Sequence, residues 1–486
     1  MAATFVILLA APLVAALACL WSPVRACQAV TIAAGVASFA AACVLVPAAG
    51  HHDVTLGRYV RADAISVVFL LATSFLYAVV AAYSVGYFAG DASSADFSRY
   101  ARRFYAGLNL FAWSMLVAPL MSSLALLWIA IEVTTVISAL LVAIEDTDRA
   151  VEAAWKYVLI ASAGLGLALL ATIFMYAAGA HVLGQSYDLT FAELVRAGPH
   201  LPHTVVRLAY GLAVLGFGTK VGLFPVHTWL PDAHAEAPTP VSALLSGSLL
   251  AVSFYAILRY YQVSVAALGP RFPQGVLLAF GIGSLLLAAL YLFNQGDVKR
   301  LLAYSSMEHM GILAIGVSFG APIALAGVLL HVLAHAAAKG NAFMGAGVLV
   351  RKYQTKRIAR IDGALDLLPW SGPLLLTTVL ALSAMPPFGI FRSEFQIVAG
   401  GFAAPRNAAA AVLIVAVTVA FLGLSLSANR MLLNSPAKRL PRGEPSAWMV
   451  VPVVAGVAAL VLLGVHPPAH LTELLVRGAA ELRGLR

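Results

Sequence analysis

The chain has 486 residues, of which 62% are hydrophobic and only 10% are charged, and its mean hydropathy is +0.92. This composition excludes a water-soluble globular protein and indicates one embedded in a lipid bilayer. The net charge of +9 is spread over short loops between apolar segments, so it indicates membrane topology and excludes an arm that binds nucleic acid.

Apolar runs of about 20 residues, the length that a bilayer core of about 30 Å requires, recur along the whole chain. The sequence therefore predicts an all-α integral membrane protein with about 14 transmembrane helices. The first run has no basic segment before it, which predicts a retained helix and not a cleaved signal. The predicted spans are 2–21, 26–47, 63–88, 104–121, 123–144, 155–178, 205–224, 241–262, 275–294, 301–319, 321–350, 370–391, 408–430 and 447–465.

The basic residues are distributed unevenly between the two sides of the membrane. An even number of spans places both termini on one side, and the loops of the opposite side carry more Lys and Arg, above all in 351–360 and 430–442. By the positive-inside rule the more basic side is cytoplasmic. Both termini are therefore predicted to lie on the outer side.

Motifs that hold nucleotides or metals are missing from the sequence. Cys19, Cys27 and Cys43 form no CxxC pair, and no segment reads GxGxxG or GxxxxGK[ST]. No compact group of carboxylates, histidines or cysteines appears along the chain. We therefore predict no cofactor and no metal site, and interpret the cysteines as small apolar packing residues.

Several ionisable residues lie inside the apolar spans, where each costs roughly 2.5–3.5 kcal/mol on insertion scales. His331, His335 and Lys339 recur every four residues and share one helix face. Chains of Glu, Lys and His suit proton transfer, because a lysine releases its proton when a neighbouring carboxylate is neutralised or moves away. These residues are Glu132, Lys220, Glu308, His309, His331, His335, Lys339 and Glu394.

Structural roles are the alternative interpretation of the same residues. Glu132 and Lys220 would then form ion pairs that fix helix packing, and a single His331 would be a hydrogen-bonded packing residue. His227 and His234 would satisfy carbonyl groups that a break in the helix leaves free.

Two spans have prolines beside a charged residue: Lys220 precedes Pro225, and Pro386–Pro387 precedes Glu394. The two spans are five apart and would cross the membrane in opposite directions, which is typical of an inverted repeat with broken helices. Coincidence is the alternative, because prolines are common in membrane helices.

Four stretches carry a resemblance to a known family. They are GTKVGLFPVHTWLPDAHAEAPTPVSALLSG from Gly218, DVKRLLAYSSMEHMGI from Asp297, HVLAHAAAKGNAF from His331 and MPPFGIFRSEF from Met385. They resemble the antiporter-like membrane subunits of respiratory complex I, multisubunit Na+/H+ antiporters and group 4 membrane-bound hydrogenases. The EHMGI and DAHAEAPTPVSALLSG segments are most similar to the F branch of the hydrogenase-4 membrane components.

The resemblance implies a fourteen-helix bundle with two inverted five-helix repeats and broken seventh and twelfth helices. The corresponding divisions are the three N-terminal helices in 1–103, the repeats in 104–262 and 275–430, and the last helix with the C-terminal tail in 447–486. It implies translocation of protons, in some members of Na+, driven by redox chemistry in partner subunits. By resemblance, the translocating residues are Glu132, Lys220, His335, Lys339 and Glu394, and His227, Glu308, His309 and His331 are candidates for a relay.

One position departs from the family pattern. Many complex I relatives carry a lysine on the eighth helix in a context like LLKxxxYxxxR, whereas this chain reads LLAVSFYAILR and has Ala251 there. The relay therefore lacks one protonatable group, unless water or His309 takes its place.

The sequence as a whole predicts a proton-translocating subunit of a hydrogenase-like or complex I-like assembly in a bacterial inner (cytoplasmic) membrane. Its expected partners are other membrane subunits, soluble redox subunits and the lipid bilayer. The first alternative is a subunit of a multisubunit Na+/H+ antiporter without a redox partner, and the second is a structural scaffold. An enzyme that activates its substrate comes last, because no nucleophile–base pair with an oxyanion site is recognisable.

Overall fold

The computed structural model describes residues 2–89, 96–435 and 440–484. Lys438 and Arg439 of the basic loop, and the last two residues of the predicted C-terminal segment, lie outside these ranges. The described residues form twenty α-helices and one small hairpin. By length and composition, eleven helical segments of this part of the chain are able to cross a membrane. The count of fourteen spans and the inverted repeat stay predictions.

Helices dominate because a bilayer offers no water to backbone N–H and C=O groups, which a helix pairs within itself. The helices are α1 (Ala2–Trp21), α2 (Val24–Ala49), α3 (Ala64–Tyr87), α4 (Phe97–Val117), α5 (Leu124–Val142), α6 (Asp148–Leu183), α7 (Phe191–Ala197), α8 (His203–Val221), α9 (Trp229–Glu236), α10 (Thr239–Leu244), α11 (Leu250–Leu268), α12 (Arg271–Tyr291), α13 (Val298–Phe319), α14 (Pro322–Tyr353), α15 (Ala364–Leu367), α16 (Ser371–Leu382), α17 (Gly389–Ala403), α18 (Asn407–Leu432), α19 (Val451–Val465) and α20 (Ala469–Leu482).

The only strands within the described ranges are β1 (Val54–Leu56) and β2 (Val60–Ala62), which pair antiparallel between α2 and α3. The all-α prediction did not include this hairpin. It is too short to show the alternating pattern by which a strand is recognised in a sequence.

The centre of the bundle is formed by α3, α11, α13 and α14, whose residues are buried on nearly every face. Helices at the periphery expose large apolar side chains instead, for example Val14 and Leu17 on α1 and Val415 on α18. Titratable residues on the central helices are therefore enclosed by protein.

The chain leaves helical geometry at both proline-containing positions. The first helix of the seventh predicted span, α8, ends at Val221, and Gly222 adopts a left-handed conformation with φ of 80°. Pro225 has no N–H to continue a helix, which resumes only as α9 at Trp229. The twelfth predicted span is likewise divided into α16 and α17 around Pro386–Pro387.

A buried charged network joins α3, α11 and α20 at the predicted outer face. Arg259, which is fully buried on α11, donates hydrogen bonds to Asp63 at 2.6 Å and to Gln262 at 2.8 Å. Gln262 in turn donates to the backbone carbonyl of Glu481 at 3.0 Å. Helix α20 was not predicted, because it is short and has a polar face.

Burial and charge act in opposite directions on the two carboxyl groups of this network. Burial alone disfavours the ionised form of Asp63, but the Arg259 guanidinium outweighs it and holds the pKa of this carboxyl well below its usual range. Burial, with a contribution from the nearby Asp63 carboxylate, raises the pKa of the Glu481 carboxyl to about 8.

Candidate functional site

Lys220 lies in the last turn of α8 and is completely buried. Its ammonium group donates a 2.9 Å hydrogen bond to Thr135 Oγ1 on α5 and a second hydrogen bond to the Tyr157 hydroxyl on α6. The Tyr157 hydroxyl also lies 2.7 Å from Ser138 Oγ. Hydroxyl groups therefore hold this lysine.

Glu132 is half-buried on α5, one helical turn before Thr135. Ser162 Oγ of α6 donates to Glu132 Oε1 at 3.3 Å. No ion pair within 4.0 Å joins Glu132 to Lys220, both of which lie in the described residues, but the carboxylate is near enough to act electrostatically on the ammonium group. The structure thus brings the two residues to one region without direct contact.

Small residues allow α6 and α8 to approach closely beside Lys220. A Cβ atom added at Gly216 would lie 2.5 Å from the backbone nitrogen of Ala168, and one at Gly164 would lie 2.5 Å from the Thr219 side chain. Such close approach is common at helix contacts in membranes. It places the Lys220 Nζ 4.5 Å from the centre of the Tyr157 ring.

The break after α8 is stabilised by side chains that bond to backbone carbonyls. Trp229 Nε1 donates to the Thr219 carbonyl at 2.7 Å. His234 Nδ1 donates to the Leu230 carbonyl at 2.8 Å, and the His234 ring centre lies 5.5 Å from that of Phe343 on α14. His234 therefore satisfies a carbonyl with one nitrogen and is directed towards the second half of the protein.

Two histidines of different helices meet in the second half. His309 Nδ1 on α13 lies 3.1 Å from His331 Nε2 on α14, and His331 Nδ1 lies 2.9 Å from Ser393 Oγ on α17. Glu394 Oε1 is 3.9 Å from His309 Nδ1. The ring of His335, one turn after His331, has its centre 5.4 Å from that of His309.

Lys339, on the same buried face of α14, has a carboxylate neighbour of its own. Its Nζ donates to the Leu302 carbonyl on α13 at 3.4 Å, and Glu308 is near enough to act on it electrostatically. Ser305 Oγ donates to Glu308 Oε2 at 3.3 Å. The second half thus repeats the combination of buried lysine, nearby carboxylate and hydroxyl found around Lys220.

Ala251 is buried on α11, directly after a single π-helical turn at 245–249. The polar contacts of this segment are made by serines: Ser246 Oγ lies 2.7 Å from Ser306 Oγ, and Ser248 Oγ lies 2.7 Å from Thr73 Oγ1. Serine hydroxyls of the turn before Ala251 therefore contact α13 on one side and α3 on the other.

Some buried polar atoms of these residues remain available for further bonds. Within the part of the chain that the structure describes, those without a hydrogen-bond partner include Glu132 Oε2, His227 Nδ1, His234 Nε2, His309 Nε2, both ring nitrogens of His335, and Glu394 Oε1. Buried polar atoms are usually bonded, so these unpartnered atoms make their residues candidates for a functional site.

The predicted residues therefore fall into two groups. The first group consists of Glu132 and Lys220, and His227 lies in the break after α8. The second group consists of Glu308, His309, His331, His335, Lys339 and Glu394. Tyr157, Ser162 and Ser393 were not predicted, because one aromatic or hydroxyl residue in an apolar span carries no distinguishing signal. His234 was predicted to satisfy a carbonyl freed by the break, and it does bond to the Leu230 carbonyl.

The fold and these buried groups define a membrane-embedded, antiporter-like protein. The family described as NADH:quinone oxidoreductase/Mrp antiporter, transmembrane region, matches residues 121–423. The chain belongs to this family, as the four sequence stretches predicted.

Among curated relatives, the chain is 34% identical over 422 residues to the hydrogenase-4 component F homolog of Methylacidiphilum infernorum, covering 86% of this chain and 87% of that protein. Its fold is similar to a chain of the Mrp complex from Dietzia sp., with a TM-score of 0.87, 20% identity and coverage of 99% and 98% of the two chains. It is also similar to a chain of respiratory complex I from Thermus thermophilus, with a TM-score of 0.83, 23% identity and coverage of 99% of both chains. The predicted resemblance to the F branch of the hydrogenase-4 components is confirmed.

Proposed function

We propose that this chain translocates protons across a bacterial inner membrane as one subunit of a redox-driven, hydrogenase-like assembly. The observation that supports this most directly is the pair of buried lysines, Lys220 and Lys339, each with a carboxylate nearby and without a direct ion pair. A lysine that keeps its proton only while a carboxylate is close to it is able to bind and release that proton in turn.

In the first half, Glu132 controls the proton affinity of Lys220. The hydroxyls of Thr135 and Tyr157 hold the ammonium group in place. A groove of about 280 Å3 at the predicted cytoplasmic side, where Asp232 bridges Lys156 and Arg300, gives protons access to α6 and α9.

A proton that moves from the first half to the second then passes His234 and reaches Lys339. His234 has one nitrogen fixed by the Leu230 carbonyl, and its other nitrogen faces the interior. From Lys339 the proton path continues through His335, His309 and His331 to Glu394. In this arrangement the missing lysine at position 251 is replaced by His234 and by water held at the nearby serines.

Protons fit these side chains better than Na+ does. Sodium prefers oxygen ligands in a closed shell, whereas lysine and histidine nitrogens carry protons. We further propose that the chain has fourteen spans with two inverted repeats and both termini on the outer side. Other membrane subunits are its neighbours, and soluble subunits supply the redox energy, without any cofactor in this chain.

Proton uptake into vesicles that contain the complete complex tests the proposal. Lys220→Ala is expected to abolish redox-driven proton movement while the complex stays assembled. Lys352→Ala is the control, since among the described residues this lysine at the end of α14 donates to the loop carbonyls of Pro441 and Gly443. Full pumping by the Lys220 variant would refute the proposal, and normal transport by a Glu132→Gln, Lys339→Ala double variant would favour a scaffold.

A Na+/H+ antiporter subunit without a redox partner is a second candidate, favoured by the similarity to the Mrp complex chain. Purification of the complex with its neighbours separates the two. Redox subunits copurify in the first case, whereas in the second they are missing and transport follows a Na+ gradient.

A further inference from the structure

We propose that His309, His331 and Glu394 form a binding site for a divalent transition-metal ion, with Zn2+ as the best fit. One ligand-type atom from each residue lies within 4.8 Å of the others, and all three side chains are buried. The sequence predicted no metal site, because these residues lie on three different helices and their spacing resembles no metal motif.

Two of the three ligand separations lie close to those of a tetrahedral ion, and the third is within 4.8 Å. Zinc bonds of about 2.0–2.2 Å place neighbouring ligand atoms roughly 3.3–3.6 Å apart. The observed separations are 3.1 Å between His309 Nδ1 and His331 Nε2 and 3.9 Å between His309 Nδ1 and Glu394 Oε1. An ion would draw the Glu394 carboxylate towards the two imidazoles to complete the geometry. Two imidazoles and one carboxylate are a ligand set that zinc uses when its fourth position stays open.

Ser393 orients the imidazole ring of His331, one of the three ligands. Its hydroxyl donates its single hydrogen to the Ile390 carbonyl at 2.8 Å, so towards His331 Nδ1 it acts as an acceptor. This assigns the ring hydrogen of His331 to Nδ1 and leaves the Nε2 lone pair directed at His309. A ligand histidine held by a hydrogen bond through its other nitrogen is typical of metal sites.

The neighbouring charges favour a cation. Counted in their ionised forms, the two buried carboxyl groups of Glu308 and Glu394 outnumber the one buried lysine beside them, Lys339. Within the described residues, Glu394 Oε1 has no hydrogen-bond partner. An unpaired buried carboxylate is costly, and a proton or a metal ion relieves that cost. The two therefore compete for this site.

A groove beside the break between α16 and α17 reaches one of the three ligands. Glu394 lines a groove of about 430 Å3 together with Ser383, Ala384 and Phe391. In the region that the structure covers, Ser383 Oγ is buried without a hydrogen-bond partner.

Titration of the purified full chain with Co2+, followed by Zn2+, tests the site. Co2+ is expected to bind at one equivalent with the visible absorption of a four-coordinate ion, and Zn2+ is expected to displace it. Glu394→Gln and His331→Gln should each weaken binding by at least about 100-fold, and Ser393→Ala by about 10–100-fold. His234→Gln, a buried histidine of the other half, should leave metal affinity unchanged.

The proposal would be overturned if the wild type and the Glu394→Gln variant bound the metal ion equally well. It would also be overturned if His234→Gln lost metal affinity instead, or if the wild type bound no metal ion. Monodisperse elution of each variant shows that it is folded, and the mild Ser393→Ala change keeps all three ligands. Inhibition of proton movement by Zn2+ rests additionally on the proposed function. Metal binding without inhibition would refute the relay role of this cluster and leave the metal site intact.

Discussion

His309 on α13 and His331 on α14 meet at 3.1 Å because both are equally distant in sequence from Gly320, where the chain reverses direction. Gly320 has a φ of 66°, which favours glycine, and α14 begins two residues later at Pro322. Two antiparallel helices joined by so short a turn bring equidistant residues to the same depth. The turn therefore sets the register of the second half of the site.

Removal of the Tyr157 hydroxyl should slow proton transport. Tyr157→Phe keeps the ring beside Lys220 but deletes the oxygen to which the ammonium group donates. A hydrogen bond to a charged group contributes about 1.5–3 kcal/mol, so we expect a decrease in rate of roughly tenfold or more. Proton uptake by vesicles with the assembled complex measures it.

Tyr260→Phe is the matched control for this experiment. Tyr260 is equally buried, and its hydroxyl lies 2.7 Å from the neutral Thr172 Oγ1. Equal losses in the two variants would mean that the Tyr157 hydroxyl has no special role in transport.

A methyl group at Gly216 should impair transport without removing any titratable group. The new Cβ would lie 2.5 Å from the Ala168 backbone, so α8 must move away from α6 and carry Lys220 with it. Gly211→Ala on the same helix is the control, because nothing lies within 4 Å of a Cβ there. Unchanged transport in Gly216→Ala, with normal assembly, would show that the close contact is not needed.

Breaking the buried pair of Asp63 and Arg259 should destabilise the chain strongly. Asp63→Asn leaves a buried guanidinium without its counter-charge, which costs about 3–5 kcal/mol. Asp188→Asn removes the partner of the exposed Arg58 and should cost only about 0–1 kcal/mol. Thermal unfolding of the purified chain compares them, and similar midpoints would contradict the predicted difference.

The free energy of unfolding should fall as the pH rises through about 8, because of the Glu481 carboxyl group. Its pKa is raised to about 8 in the folded chain, above the usual value of a glutamate, so the folded state binds this proton more tightly than the unfolded state. The stabilisation is complete below the ordinary glutamate pKa and is lost as the pH rises through about 8. Glu481→Gln should flatten this part of the pH profile, and an unchanged profile would exclude Glu481 as its cause.

The sequence predicted the membrane character and the family correctly because hydropathy and the four motif-bearing stretches are local signals. Positions of the breaks followed from Pro225 and Pro386–Pro387, since proline cannot continue a helix in its interior. The His331–Lys339 face followed from helix periodicity in the same way.

Contacts between helices were beyond the reach of such signals. The hydroxyls of Tyr157 and Ser393 became visible as parts of the site only when packing placed them beside Lys220 and His331. The cluster of His309, His331 and Glu394 was missed for the same reason, since its members belong to three helices. Helix α20 was not predicted, because the average hydropathy over its polar and apolar faces is too low to indicate a span.

Helix α20 also has a consequence for the order in which the protein is made. Arg477 donates to the Ala49 carbonyl and to Asp53, and the Glu481 carboxylate accepts from the amides of Ala64 and Ile65. These groups belong to segments that leave the ribosome long before α20 does. They remain without their final partners throughout the synthesis of the helices in between. This face of the bundle therefore closes only when α20 arrives, and a chain truncated before this helix keeps it open.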